Sequence, residues 1–259
     1  MTTDMGTGGH EVPTCPRPVQ GHDGALLERC GGPTPFLRVC TPVMSDRVGC
    51  VVPLGHEGCG YEQPLEAALK ALSPASSDID FFASTPAHGD GANDGFLREG
   101  SVLAVLVVSD EDDCSSAEPA LFDPDSLAYS DPYDLRCIRH PEVMRPLERY
   151  VDGLLALRDD PGRLVFSFLG GVPPDLEGKR WTEVLDDPRM DPTVSPYRIP
   201  AVCHARDGGV APAPRLLELA GRLEARGARG VPRSLCHADL GGALRPLARA
   251  IAESLRDAG

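Results

Sequence analysis

The chain has 259 residues, 41% of them hydrophobic, with a formal net charge of -14 and a pI near 4.9. That apolar content excludes wholesale disorder, and the length suits one large domain. The acidic balance repels nucleic acid phosphates and anionic lipid, so nucleic acid is excluded as a partner, while bound cations are tolerated.

Nine cysteines are present, and none forms a CxxC pair, so a zinc ribbon or thioredoxin-type site has no support. Their wide, loop-like spacing reads as disulfides of an oxidising compartment. The first residues, "MTTDMGTGGHEVP", carry neither a basic start nor an apolar run, so no signal peptide is seen. No stretch approaches the roughly 18 apolar residues of a membrane helix, so no transmembrane segment is expected in this chain.

Residues 1–60 are rich in Gly, Pro and Cys and show little periodicity, apart from a short helix expected at Asp23–Cys30 with Asp23 as its cap. A helix follows in "GYEQPLEAALKALSP", with Pro64 in its first turn and Leu65, Ala68, Leu69 and Leu72 on one face. The run Val102–Val108 has no apolar/polar alternation and reads as a parallel strand buried on both faces. It runs straight into Asp110, Glu111, Asp112 and Asp113. Residues 115–140 form a long loop. A helix is expected from about Pro141 to Leu157, then a buried strand at Leu164–Leu169 and a Pro/Asp-rich loop over 172–212 that contains Trp181. An amphipathic helix at Pro214–Ala225, a short strand at Arg233–Cys236 and a last helix after Asp239 complete the chain. That last helix is expected to bury Leu240, Leu244, Leu247, Ile251 and Leu255.

Alternation of helices and strands implies an α/β fold, a parallel sheet with helices on both faces. Ligands of such sheets bind beyond the carboxyl ends of the strands, which is where Asp110 falls. Hard oxygen ligands there favour Mg²⁺ or Ca²⁺. No HExxH, GxSxG, P-loop or dinucleotide fingerprint occurs, and the seven histidines show no ligand spacing.

The segments "TTDMGTG", "GCGYEQPLEAALKAL", "GFLREGSVLAVLVVSDEDDCS" and "SLCHADLGGALRPLARAI", in that order, resemble von Willebrand factor A (vWA) domains. The likeness is greatest to cysteine-rich, myxobacterial-type vWA-like lipoproteins of the cell envelope. The resemblance implies a vWA/Rossmann-like parallel sheet and a non-enzymatic binding or adhesion module for a protein or surface ligand, exported or lipid-anchored. It also implies a divalent metal atop the sheet, with Asp110 matching the family's Asp after the central strand. The DxSxS set is absent, and Glu62 or Gln63 stands where the family has Thr.

The metal site is therefore expected to be incomplete. Its candidates are Asp110, Asp112 and Glu62, with Thr3 and Asp4 from a neighbouring strand end of the family fold. Glu62 equally suits a cap of its own helix, Asp4 and Thr3 an N-terminal turn, and the acidic run a solvated loop. Expected disulfides are Cys114–Cys137, closing the loop after the acidic strand, and Cys203–Cys236.

By the same resemblance the chain is expected to begin inside a single truncated domain, a Cys-rich loop region (1–60) followed by an α/β core (61–259). The family's first strand would lie beside Val102–Val108, so its absence leaves that strand with an unpaired edge and an uncovered flank. Two rival readings are a metal-dependent hydrolase using Asp110 and Asp112, and a metal-free structural envelope protein.

Overall fold

A computed structural model describes residues 1–27, 35–37, 44–51, 58–206 and 208–257. The chain divides into two compact units: Met1–Arg98 with Phe122–Pro124, and Glu99–Leu121 with Asp125–Gly259. The residues expected to form one α/β core from 61 onward are therefore shared between the units. Cys30, Cys40 and His56 lie outside the described residues.

The first unit holds helices α1 (Met44–Val51) and α2 (Pro64–Leu72). Pro64 sits at the start of α2, where its missing N–H costs no hydrogen bond. The sequence placed one face of this helix inward, yet all nine residues are buried, Glu66 and Lys70 included. Polar partners make this tolerable for Lys70, whose Nζ lies 2.5 Å from both Asp23 Oδ1 and Thr85 Oγ1. His88 Nε2 lies 3.2 Å from the other Asp23 oxygen.

The buried Asn93 amide donates to the carbonyls of Gly24 and Ala71. The expected helix from Asp23 does not form over the described residues 23–27. Asp23 and Gly24 instead turn the chain through positive φ (55° and 74°), which aims the Asp23 carboxylate at Lys70. A disulfide, Cys15–Cys59, ties two loops of this unit together.

The second unit is built on a three-stranded parallel sheet, β1 (Leu103–Val108), β2 (Leu164–Gly170) and β5 (Arg229–Ser234), in the order β1-β2-β5. Helices α3 (Arg136–Arg139), α4 (Leu147–Leu155), α5 (Trp181–Leu185), α6 (Pro214–Ala225) and α7 (Leu240–Asp257) accompany it. A hairpin of β3 (Cys203–Ala205) and β4 (Gly208–Val210) lies apart from the sheet. Strand β2 is central and buried along its whole length, as its continuous apolar run requires.

Helix α6 covers one face so closely that a Cβ on Gly230 of β5 would come within 2.7 Å of the Ala220 carbonyl oxygen. Helix α7 covers the other, packing Leu247 and Ala250 on Val165. Parallel α/β architecture with helices on both faces is thus present, in a small sheet.

Several expectations need correction. Strand β1 is not buried on both faces: its burial alternates, and Leu106 and Val108 are 39% and 55% exposed. Its apolar run carries no alternation because the open face is apolar too. The helix expected over Pro141–Leu157 is shorter. A 3-10 turn at Pro141–Val143 and a bridge from Met144 to Ser116 precede Pro146, and only then does α4 begin.

The expected loop 172–212 contains α5 and the β3–β4 hairpin. Trp181 opens α5 and stacks on α6, where Gly221 leaves room for the indole; a Cβ there would fall inside its ring. The last strand begins earlier than expected, at Arg229. Helix α7 buries Ala243, Leu247, Ala250 and Ser254, while Leu240, Leu244 and Leu255 are exposed. The sheet accepts the small-residue stripe, which lets the helix approach closely.

Candidate functional site

The carboxyl ends of β1, β2 and β5 form the rim where an open parallel sheet places its ligands. Gly171 follows β2 there because the chain passes so near Ala211 that a Cβ would fall on its carbonyl oxygen. The four consecutive carboxylates after β1 have divided roles.

Asp112 accepts hydrogen bonds from the Arg215 and Leu216 N–H groups, at 2.9 and 3.2 Å, in the first turn of α6. It caps a helix about one hundred residues further on. Burial pushes its pKa up to about 6, against the opposing pull of the Arg215 N–H and guanidinium. Asp113 is buried and pairs with Arg215 Nη2 at 3.2 Å, while its other oxygen accepts from Ser115 Oγ at 2.6 Å. Arg215 also donates to the Arg145 carbonyl, which joins α6 to the segment before α4.

Asp110 and Glu111 turn the other way. Asp110 is exposed, and its backbone carbonyl accepts from Ala211. Glu111 keeps solvent contact, but crowding protein atoms push its pKa up to about 7, with Asp110 and Asp134 adding like charge. The exposed crest of this rim is therefore this pair of neighbouring carboxylates.

A second polar group stands at the end of β5. Glu177, whose side chain is 8% exposed, accepts from the Ser234 N–H at 2.6 Å, and its other oxygen lies 2.7 Å from both Arg233 Nη2 and His237 Nε2. The disulfide Cys203–Cys236 fastens the β3–β4 hairpin beside it, and Cys114–Cys137 closes the loop after the acidic run. Both bonds join the cysteines paired from the sequence. Glu177 gave no sequence signal because its partners lie 56 to 60 residues away and only the fold gathers them.

The other predicted candidates belong to the first unit. Thr3 Oγ1 hydrogen-bonds Glu62 Oε2. Asp4 is 1% exposed and accepts from the Gly6 N–H at 3.1 Å and from Arg17 Nη2 at 3.3 Å, with His22 Nδ1 3.8 Å away. Of the five metal candidates, Asp112, Thr3, Glu62 and Asp4 are thus engaged in local structure, and Asp110 alone presents an exposed carboxylate. Among the described residues no three His, Cys, Asp or Glu side chains converge as a metal shell.

No family model matches the chain, and no curated protein and no solved structure matches it. No described helix is long and apolar enough to cross a membrane.

Proposed function

We propose that this chain is a non-enzymatic vWA-like binding module of the cell envelope that meets a protein or surface ligand at the Asp110–Glu111 crest. The division of the acidic run carries this reading. Asp112 and Asp113 are spent on α6 and Arg215, whereas Asp110 and Glu111 are held outward at the sheet rim. Two neighbouring carboxylates supply too few of the roughly six to eight oxygens that Ca²⁺ takes, so any cation at the crest is shared with the ligand or with water. The disulfides among the described residues suit an oxidising, extracytoplasmic compartment.

A hydrolase built on Asp110 and Asp112 is disfavoured, because Asp112 uses its oxygens on backbone N–H groups. The test is retention of the oxidised chain on purified envelope material, compared with an Asp110→Asn/Glu111→Gln double variant, beside a phosphoester turnover screen. Retention that the double variant loses supports the proposal. Retention unchanged in the variant, or turnover abolished by Asp110→Asn, overturns it.

A further inference from the structure

Lysine occurs only twice, at Lys70 and Lys179; every other residue among the chain's 25 Lys and Arg is arginine. Lys179 is exposed, whereas Lys70, on α2, is 0% exposed. A guanidinium stays protonated in proteins, but a lysine amine can shed its proton and act as a nucleophile. The fully buried cation of an arginine-rich chain is thus the one basic side chain type with amine chemistry.

Its surroundings hold it against a carboxyl group. Lys70 Nζ lies 2.5 Å from Asp23 Oδ1, with the buried Phe81 ring centred 5.5 Å away. Thr85 Oγ1 donates to the Phe82 carbonyl, so it turns a lone pair to the amine and fixes its position. The Asp23–Gly24 turn lies flush on α2: a Cβ on Gly24 would come within 2.8 Å of the Ala67 carbonyl oxygen and 3.2 Å of Lys70 Cβ. His88 is anchored by its own N–H, which donates to the Lys70 carbonyl at 2.9 Å. Its Nε2 lies 2.8 Å from the Asp23 carbonyl oxygen and 3.2 Å from Oδ2. Both neighbours are acceptors, so Nε2 carries the ring proton and donates.

Two charges held away from water cost free energy that their attraction repays only with additional hydrogen bonds. Condensation removes both charges at once, and the reacting groups are already in contact. We propose that Lys70 and Asp23 join as an intramolecular amide, with His88 Nε2–H as the oxyanion donor. The ammonium passes one proton to Oδ1 along their hydrogen bond. The freed Nζ lone pair attacks Asp23 Cγ, the Nζ–Cγ bond forms, and negative charge collects on Oδ2, where His88 donates. A second proton moves from nitrogen to Oδ1, the Cγ–Oδ1 bond breaks, and that oxygen leaves as water. Ammonium and carboxylate become one secondary amide and one water; nothing is oxidised or reduced and no co-reactant enters. The Asp23 side chain is 24% exposed, which gives the water an exit. The product clamps the Asp23 turn to α2 and, unlike Cys15–Cys59, survives reduction.

The test is mass spectrometry of the purified full chain after complete reduction and denaturation. The chain is expected to be lighter than its 27.5 kDa sequence mass by one water. Proteolysis should give one branched peptide that carries both Asp23 and Lys70. On a reducing, denaturing gel the wild type should run ahead of Lys70→Arg and Asp23→Ala, and both variants should keep their full masses.

Loss of an oxyanion donor slows acyl chemistry by about 100-fold or more, so shortly after synthesis His88→Leu should be mostly open. His88→Gln, which keeps a side-chain N–H, should be closed. A wild-type chain at full sequence mass would overturn the proposal and leave the pair an ion pair only; that measurement needs no variant to fold. Water loss that maps to a linear peptide, as from succinimide closure at Asp23–Gly24, would overturn it too. So would a His88→Leu chain that closes as fast as the wild type.

Discussion

The two units solve burial in opposite ways. The sheet unit buries an apolar strand, β2, between α6 and α7, with Leu164, Val165, Phe166 and Phe168 fully enclosed. Its buried charges lie outside the strands: Asp113 pairs with Arg215 of α6, and Arg136 donates to the Leu121 carbonyl. The first unit encloses a single helix, α2, so completely that Lys70 is 0% exposed, and it satisfies that lysine through Asp23 and Thr85. A short helix wrapped by loops has no second apolar layer to choose a face, so polar networks replace part of the hydrophobic core. Such networks give strong geometry but are fragile, because losing one partner strands the other away from water.

The comparison can be broken in four places. The largest effect is expected in the sheet: Phe166→Ala removes a fully buried ring from the central strand and should cost about 4 kcal/mol. Trp181, the sole tryptophan, lies in this unit, so denaturant unfolding followed by its fluorescence reports the loss there. In the first unit, Lys70→Ala should cost about 3 kcal/mol, since it leaves Asp23 and Thr85 without their partner. Hydrogen exchange of the α2 amides reads that change. Were Lys70→Ala neutral there, the claim that ion pairing organises this unit would fall.

A smaller loss, about 1 kcal/mol, is expected for Asp112→Ala, which uncaps α6. Asp110→Ala, on the exposed crest, should cost nothing in the same unfolding measurement.

The smallest effect is a pH dependence. Glu111 and Asp112 have pKa values raised to about 7 and about 6, above those of the unfolded chain. Their protonated forms therefore favour the fold, and that contribution is present in full below about pH 4 and lost as pH rises through 6 to 7. Glu111→Gln should raise the melting temperature at pH 8 and leave it unchanged near pH 4. Asp187, held at about 2 by Arg189, acts in the opposite sense, but only below pH 4. A Glu111→Gln melting curve parallel to that of the wild type from pH 4 to 8 would remove the crest's electrostatic strain from the account.

Much of the sheet unit was legible because its signals are local. The apolar runs gave β1 and β2, Pro214 and the leucine spacing gave α6, and loop-flanking cysteines gave two disulfides. The burial of α7 was legible in part: Leu247 and Ile251 pack on the sheet as expected, while Leu240, Leu244 and Leu255 are exposed and Ala243 and Ala250 are buried instead. The division of the acidic run was not legible, since four adjacent carboxylates look alike until α6 arrives from a hundred residues away to claim one and Arg215 another.

By itself the sequence determined that the chain is α/β and that an apolar strand ends in carboxylates. Periodicity and nearest-neighbour chemistry suffice for those. The tertiary structure alone decided that Lys70 is buried and which carboxylates face outward. Burial and pairing depend on what packs against a residue, and those partners are set by the topology of the chain rather than by its local pattern.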